Sequence, residues 1–248
     1  IKSYFGEGVK IEYSKHHMSH IAFSFYASGF KESTFLIADA VGEEDSLAYG
    51  HINSKGEIDY HTIKFPHSVG MLYSTFTEYL GYRVNSDEYK VMGLAAYGEP
   101  VYLKELEKLI QNKNLNEFAL NLNYFEFNDY FHRKTFSKEL EELILLKPLK
   151  DISKLTKEYK DLAASIQALL EKIVIGFVED IQKKYSQSKN LCLGGGVALN
   201  SVCNMKISKL GIFEDIYIPS SPGDAGSAIG CAYLGLVNNN QEVNSSYQ

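Results

Sequence analysis

Residues 35–64 read FLIADAVGEEDSLAYGHINSKGEIDYHTIK, and this stretch decides the fold. Phe35-Leu36-Ile37-Ala38 is a short apolar run of the kind that forms a buried strand, and Asp39 closes it. Two more strands are predicted, at about Leu47 to Ile52 and Ile58 to Lys64. Asn53-Ser54-Lys55-Gly56 between them is a hairpin signal. The stretch therefore predicts three consecutive antiparallel strands.

Beyond Pro66 the period changes. Val69, Leu72, Phe76, Tyr79 and Leu80 keep helical spacing, and Gly81 is placed to end that helix. A shorter segment from Asp87 to Tyr97 is punctuated by Gly93 and Gly98. Residues of about 99–155 are rich in Asn and Lys, with a helix predicted at Ser137–Leu146, and read as an insertion. The strongest helix follows, with Leu162, Ile166, Leu169, Leu170, Ile173, Phe177 and Ile181 on one face. A strand at Leu191–Leu193 then breaks into Gly194-Gly195-Gly196, ahead of a helix to about Lys209. A strand at Ile216–Ile218 breaks at Pro219–Gly223, ahead of a helix from Asp224. On the N-terminal side, Val9, Ile11 and Tyr13 alternate with polar neighbours and predict a short strand, with a helix over Ile21–Tyr26. Residues 238–248 are polar and predict a frayed tail.

In order, 35–237 is three strands, a helix, an insertion, a helix, then two strand–helix units. That pattern gives an α/β fold with a mixed sheet flanked by helices. It resembles the ribonuclease-H-like fold, two copies of which build the actin/sugar-kinase/heat-shock-protein superfamily. On that resemblance 35–237 is the second half, and 1–34 is the remnant of the first.

Composition bounds the rest. The 248 residues carry 25 Lys+Arg against 31 Asp+Glu, a formal charge of −6, with 45% apolar and 23% charged residues. This is a globular composition, which excludes wholesale disorder and collagen-like repeats. The acidity gives no electrostatic footprint for nucleic acid. No apolar run approaches the ~20 residues of a membrane span, so no membrane partner is expected. Cys192, Cys203 and Cys231 have no CxxC spacing and read as reduced thiols of a cytoplasmic protein. The chain starts at Ile1, and reads as a piece of something longer.

Several residues could carry chemistry. His16 and His20 lie four apart, one helical turn, a spacing that suits two ligands of one metal ion and equally a polar helix start facing solvent. The zinc-protease pattern fails, because His17 stands where it needs Glu. Asp39 ends a strand and Asp224 starts a helix, where either carboxylate is a plain structural group or a ligand. Ligands of open α/β sheets collect at the carboxyl ends of strands, which is where both fall. Joined to the His pair they make a mixed N/O set suited to iron, manganese or zinc. Gly194–Gly196, through Val197-Ala198-Leu199 to Asn200, is either a ligand-approaching turn or a tight β–α connection without a ligand. Lys90 could neutralise a phosphate or an oxyanion, or lie on a solvated helix face.

Five motifs, in order, carry a family resemblance. Ser14-Lys15-His16-His17-Met18-Ser19-His20-Ile21-Ala22-Phe23-Ser24-Phe25-Tyr26 resembles the HHxxHAxSAFY segment of NodU/CmcH-type O-carbamoyltransferases. Asp39-Ala40-Val41-Gly42-Glu43 is similar to their DGVGE, and Phe65–Tyr73 with Glu88–Gly98 to their central signature. Gly194–Asn200 is similar to GGVALN, and Ser221–Gly226 to PxxGDxG. The resemblance implies a metal-dependent domain related to the threonylcarbamoyl-tRNA-forming transferases. A separate domain would make carbamoyl adenylate from carbamoyl phosphate and ATP, and this one would pass the carbamoyl group to a hydroxyl of a small metabolite or sugar. It implies that His16, His20, Asp39 and Asp224 hold a divalent metal, with iron foremost. Ala40, Val41, Gly42, Gly194, Gly195, Gly196 and Asn200 would hold the adenylate. Lys90 would be a charge partner and His17 a base for the acceptor hydroxyl. It also implies that the adenylating domain and most of the first half lie outside this chain, which would not catalyse transfer alone. Carbamoyl transfer to a tRNA adenosine is the alternative reaction, opposed by the acidity and the FPHSVGMLY signature. A nucleotide-binding or regulatory module that has lost chemistry is the alternative from another class, opposed by the intact His and Asp set.

Overall fold

The computed structural model describes residues 2–6, 8–127, 134–239, 241 and 243. Strands β1 (Ser33–Gly42), β2 (Asp45–Ile52) and β3 (Ile58–Lys64) form the predicted antiparallel set. Within the insertion, β4 (Ile110–Asn112) pairs with β5 (Ala119–Leu120), and β6 (Asn190–Gly194) and β7 (Asp215–Tyr217) complete the main sheet. The main sheet has the order β3-β2-β1-β6-β7. β1 pairs with β2 antiparallel and with β6 parallel, Ile37 opposite Gly194, and β6 pairs with β7 parallel. The carboxyl ends of β1, β6 and β7 therefore share one edge of the sheet.

β1 is the central strand, and side chains alternate across a sheet. Leu36 and Ala38 join one apolar cluster and Phe35 and Ile37 the other. A strand buried on both faces reads as a continuous apolar run, as 35–38 does.

The helices are α1 (Lys2–Phe5), α2 (His16–Ser28), α3 (Val69–Tyr79), α4 (Glu88–Ala95), α5 (Leu103–Leu106), α6 (Lys138–Ile144), α7 (Lys157–Lys184), α8 (Ser201–Lys209) and α9 (Asp224–Asn238). Helices α3 and α7 cover one face of the sheet, and α2, backed by α9, covers the other. The insertion adds Leu106, Leu109, Phe118, Phe136 and Leu140 to the same buried cluster as α3 and α7, so it shares their core. Among the described residues no helix is long and apolar enough to cross a membrane.

Two expectations need correction. Residues 9–13 form no strand: they are irregular, Tyr13 is 92% exposed, and no neighbouring strand offers a ladder. Alternation over three residues is too short to specify a strand without a partner. The glycine turn also does not open an α-helix directly. A 3-10 turn at Gly196–Leu199 intervenes, and Asn200 caps α8 by accepting from the Cys203 amide at 3.0 Å. The tail predicted at 238–248 lies outside the described residues, apart from Asn238, which ends α9, and residues 239, 241 and 243.

Candidate metal centre and cleft

Helix α2 starts at His16, so both His16 and His20 project from its first turns on one face. Their Nε2 atoms stand 3.1 Å apart. Asp39, near the end of β1, brings Oδ2 to 3.5 Å from His16 Nε2 and 3.4 Å from His20 Nε2. Asp224, the first residue of α9, brings Oδ1 to 3.4 Å from each. All four ligand atoms lie within 4.8 Å of one another. Separations of 3.1–3.5 Å are those kept by atoms that each sit about 2.0–2.2 Å from one shared ion.

The chemistry of the set fits a cation. Asp39 is buried, its Oδ1 accepts from the Ala40 amide at 2.8 Å, and its Oδ2 has no hydrogen-bond partner. An orphaned carboxylate oxygen in the interior is costly, and a cation at the centre of the cluster removes that cost. Two carboxylates with two neutral imidazoles carry −2, which a divalent ion balances. Burial works to raise the Asp39 pKa, but contact with His16 and His20 and the Ala40 amide outweighs it and holds the carboxyl well below the usual range. Contact with Asp39 raises the His16 imidazole against the opposing effect of burial.

Close backbone packing presents these ligands. Ser68 is fully buried, its hydroxyl lies against the carbonyls of Asp39 (3.0 Å) and Ala40 (2.6 Å), and its Oγ accepts from the Met71 amide to cap α3. At Gly70 a Cβ would stand 2.5 Å from the Asp39 carbonyl oxygen, so only glycine lets α3 approach the end of β1. Gly195 has φ +80°, and a Cβ there would stand 2.2 Å from the Ala38 carbonyl oxygen. Its amide donates to the Pro222 carbonyl at 2.8 Å, tying the glycine turn to the loop that precedes Asp224.

Asp39 and Asp224 also line a cleft of about 580 Å³. Ala40, Val41, Gly196 and Asn200 from the predicted set line it too. Its other walls are Gly70, Tyr73, Ser74, Asn85, Ser86, Glu88, Tyr89, Met92, Leu170, Val197, Leu199 and Gly223. Gly42, Gly194 and Gly195 do not line the cleft; each is closely packed, and Gly42 abuts the His16 and His17 rings. Lys90 is not on the wall: its ammonium pairs with Asp87 at 2.9 Å and lies over the rings of Tyr82 and Tyr89. His17 is buried and does not line the cleft, its Nε2 is unpartnered, and burial pushes its imidazole down. Neither placement supports the charge and base roles expected of them.

Asn200 is committed to a buried polar network that the motif did not foretell. Its Nδ2 donates to Gln167 Oε1 at 2.9 Å, and its Oδ1 accepts from Gln167 Nε2 at 3.0 Å. Tyr73 Oη donates to Gln167 Oε1 at 2.9 Å, and Gln167 Nε2 also donates to Glu171, which Lys206 pairs. The signal for Gln167 and Glu171 was available: two polar residues four apart inside the apolar register of the strongest helix.

Fold and site together define an open α/β domain whose cleft lies at the carboxyl ends of its parallel strands, with a His₂Asp₂ cluster on the rim. The chain belongs to the carbamoyltransferase family: residues 4–233 match the model of the carbamoyltransferase N-terminus. It is 35% identical over 231 residues to the nodulation protein NolNO of Sinorhizobium fredii, covering 91% of this chain and 31% of that protein. It is 31% identical over 226 residues to the nodulation protein NolO of Bradyrhizobium diazoefficiens, covering 88% and 37%. An uncharacterized protein of Synechocystis, sll1178, is 40% identical over 221 residues, covering 89% and 35%. The chain thus spans about a third of the length of these relatives. The crystal structure of T. kodakarensis HypF is similar with a TM-score of 0.47 and 15% identity, covering 96% of this chain and 38% of that one.

Proposed function

We propose that this chain is the acceptor-side domain of a metal-dependent O-carbamoyltransferase. Carbamoyl adenylate, made elsewhere in a longer protein from carbamoyl phosphate and ATP, delivers its carbamoyl group to a hydroxyl of a small metabolite or sugar. The observation that carries this reading is the convergence of His16, His20, Asp39 and Asp224 on the rim of a cleft of nucleotide size. The antiparallel β3-β2-β1 set continued by parallel β6 and β7 supports the ribonuclease-H-like reading of the sheet.

His16, His20, Asp39 and Asp224 would hold the divalent ion, and the mixed N/O set admits iron first, with manganese and zinc as alternatives. The ion, when bound, supplies positive charge for a leaving phosphate. The chain's own residues do the rest. Tyr89, Met92, Leu170 and Leu199 give apolar walls against which an adenine can lie. Ala40, Val41 and Gly196 bring backbone to the edge of the cleft, where a phosphate can approach the ligand cluster. In the transfer, the acceptor oxygen bonds to the carbamoyl carbon, the bond from that carbon to the phosphate oxygen breaks, and AMP leaves with the electron pair. The acceptor's proton passes to solvent.

The test is metal content and adenine-nucleotide binding by the purified chain. The wild type is expected to take up one divalent ion per chain and bind AMP. The pair His16→Ala and His20→Ala is expected to abolish metal uptake. Unchanged stoichiometry in that double variant removes the ligand assignment, and neither metal nor nucleotide binding by the wild type favours a module without chemistry.

A further inference from the structure

We infer that Gly230 sets the spacing of the metal centre by letting the α9 backbone meet the α2 backbone at Ser19, and that Gly226 assists by leaving room for the Phe23 ring. The inference rests on the metal reading above. The centre is split between two helices: α2 carries His16 and His20, and α9 carries Asp224 at its first position. The separation of these helices therefore fixes whether Asp224 reaches the histidines.

At their crossing, Ser19 of α2 lies between the two histidines in sequence and faces Gly230. A Cβ on Gly230 would stand 1.8 Å from the Ser19 carbonyl oxygen and 2.6 Å from its carbonyl carbon. One turn earlier, a Cβ on Gly226 would stand 2.0 Å from the Ser221 carbonyl oxygen and 2.5 Å from Cε1 of Phe23, which lies one turn on from Ser19. At Gly230 the missing side chain lets the two helix backbones touch, and at Gly226 it leaves room for the Phe23 ring and the Ser221 carbonyl of the preceding loop, a close-approach helix pairing. Glycine is a poor helix former; α9 carries three, and at Gly226 and Gly230 close packing accounts for it. Gly235, on the same helix, has nothing within 4 Å of its would-be Cβ and has no such reason.

The magnitude decides the effect. An alanine at 230 must move from 1.8 Å to at least 3.0 Å from the Ser19 oxygen, which is backbone and cannot swing aside. The helices would part by about 1.2 Å at the crossing, whereas metal ligands tolerate only about 0.2 Å. Gly230 is six residues from Asp224, about 9 Å along the same helix, so the backbone that carries the carboxylate moves with the crossing.

Co²⁺ titration of the purified chain, followed by visible absorption and circular dichroism, tests this. The wild type is expected to bind Co²⁺ and His16→Ala to lose it. Gly230→Ala and Gly226→Ala are expected to stay helical, to bind at least tenfold more weakly, and to show an altered visible band. Gly235→Ala is expected to match the wild type. If the wild type binds and Gly230→Ala binds equally well with the same band, the inference is overturned while the metal reading stands. If the wild type does not bind through His16, the metal reading itself fails and takes the inference with it. Loss of the fold in both glycine variants also overturns it, because the crossing would then serve folding rather than the centre.

Discussion

Gly42 and His16 are packed so tightly that a Cβ on the glycine would stand 2.2 Å from Cδ2 of the imidazole and 2.6 Å from its Cγ. The same atom would be 2.9 Å from Cε1 of His17. Gly42 ends β1, so the turn into β2 packs directly on the His16 ring, whose Nε2 lies 3.5 Å from Asp39 Oδ2. Gly42→Ala is therefore expected to cost about 1–3 kcal/mol through overpacking and to displace the ring. The check is a urea melt with a Co²⁺ titration: stability and affinity both at wild-type level would show that the ring has room to move.

Ser68 does two things with one hydroxyl. It lies against the carbonyls at the end of β1, and it caps α3. Loss of an N-cap costs about 1 kcal/mol, and loss of a buried hydrogen bond a similar amount. Ser68→Ala is expected to lower stability by about 2 kcal/mol and to weaken metal binding, because Asp39 loses the anchor of its own carbonyl. Chemical denaturation reads the first effect and metal titration the second. A variant weakened in stability alone would confine Ser68 to the helix cap.

These two positions show what was and was not legible beforehand. His16, His20, Asp39 and Asp224 were readable because ligand types at helical spacing and at strand ends are local patterns. The order of strands was readable because β1 is buried on both faces and so is apolar throughout. The roles of Gly42, Ser68 and Gly70 depend on which segments meet across the fold, and nothing local reports that. The strand expected at 9–13 failed for the same reason in reverse: its alternation was local, and the partner it needed was not there. Asn200 fell between the two, legible as a motif residue but committed by Gln167, which lies 33 positions earlier.

The thiols are expected to divide two against one. Burial pushes Cys192 up to about 11 and Cys203 up to about 12, while Cys231 is exposed. A thiol with a raised pKa keeps its proton in the fold, and the thiolate is the reactive form. Ellman's reagent at pH 8 is therefore expected to titrate one thiol in the native chain and three in denaturant. The same shifts make the native state bind more protons than the unfolded state above the usual thiol value of 9.0, so stability falls as pH rises from there through 11 toward 12. Rapid native labelling of three thiols at pH 8 contradicts the assignment.

Gln167 is the residue on which the cleft wall depends, because its amide satisfies three neighbours at once. Its oxygen accepts from Tyr73 and Asn200, and its nitrogen donates to Asn200 and Glu171. Gln167→Leu keeps the volume but strands a buried hydroxyl, an amide and part of a carboxylate. At about 1–3 kcal/mol for each unsatisfied group, and with partial relaxation, the expected loss is about 3–5 kcal/mol. Gln167→Glu keeps the acceptor but replaces the donor with a second carboxylate beside Glu171. Like charges in a buried site cannot both ionise cheaply, so one of the pair must take a proton. The Glu variant is therefore expected to be the less stable of the two at pH 8 and to recover as pH is lowered toward 5, whereas the Leu variant should not follow pH in this way. Tyr73 and Asn200 line the cleft, so both variants are also expected to weaken AMP binding. Thermal melts of the two variants at pH 5 and pH 8 decide it: a Glu variant that does not gain stability on acidification relative to the Leu variant would show that Gln167 Nε2 does not face Glu171 in solution.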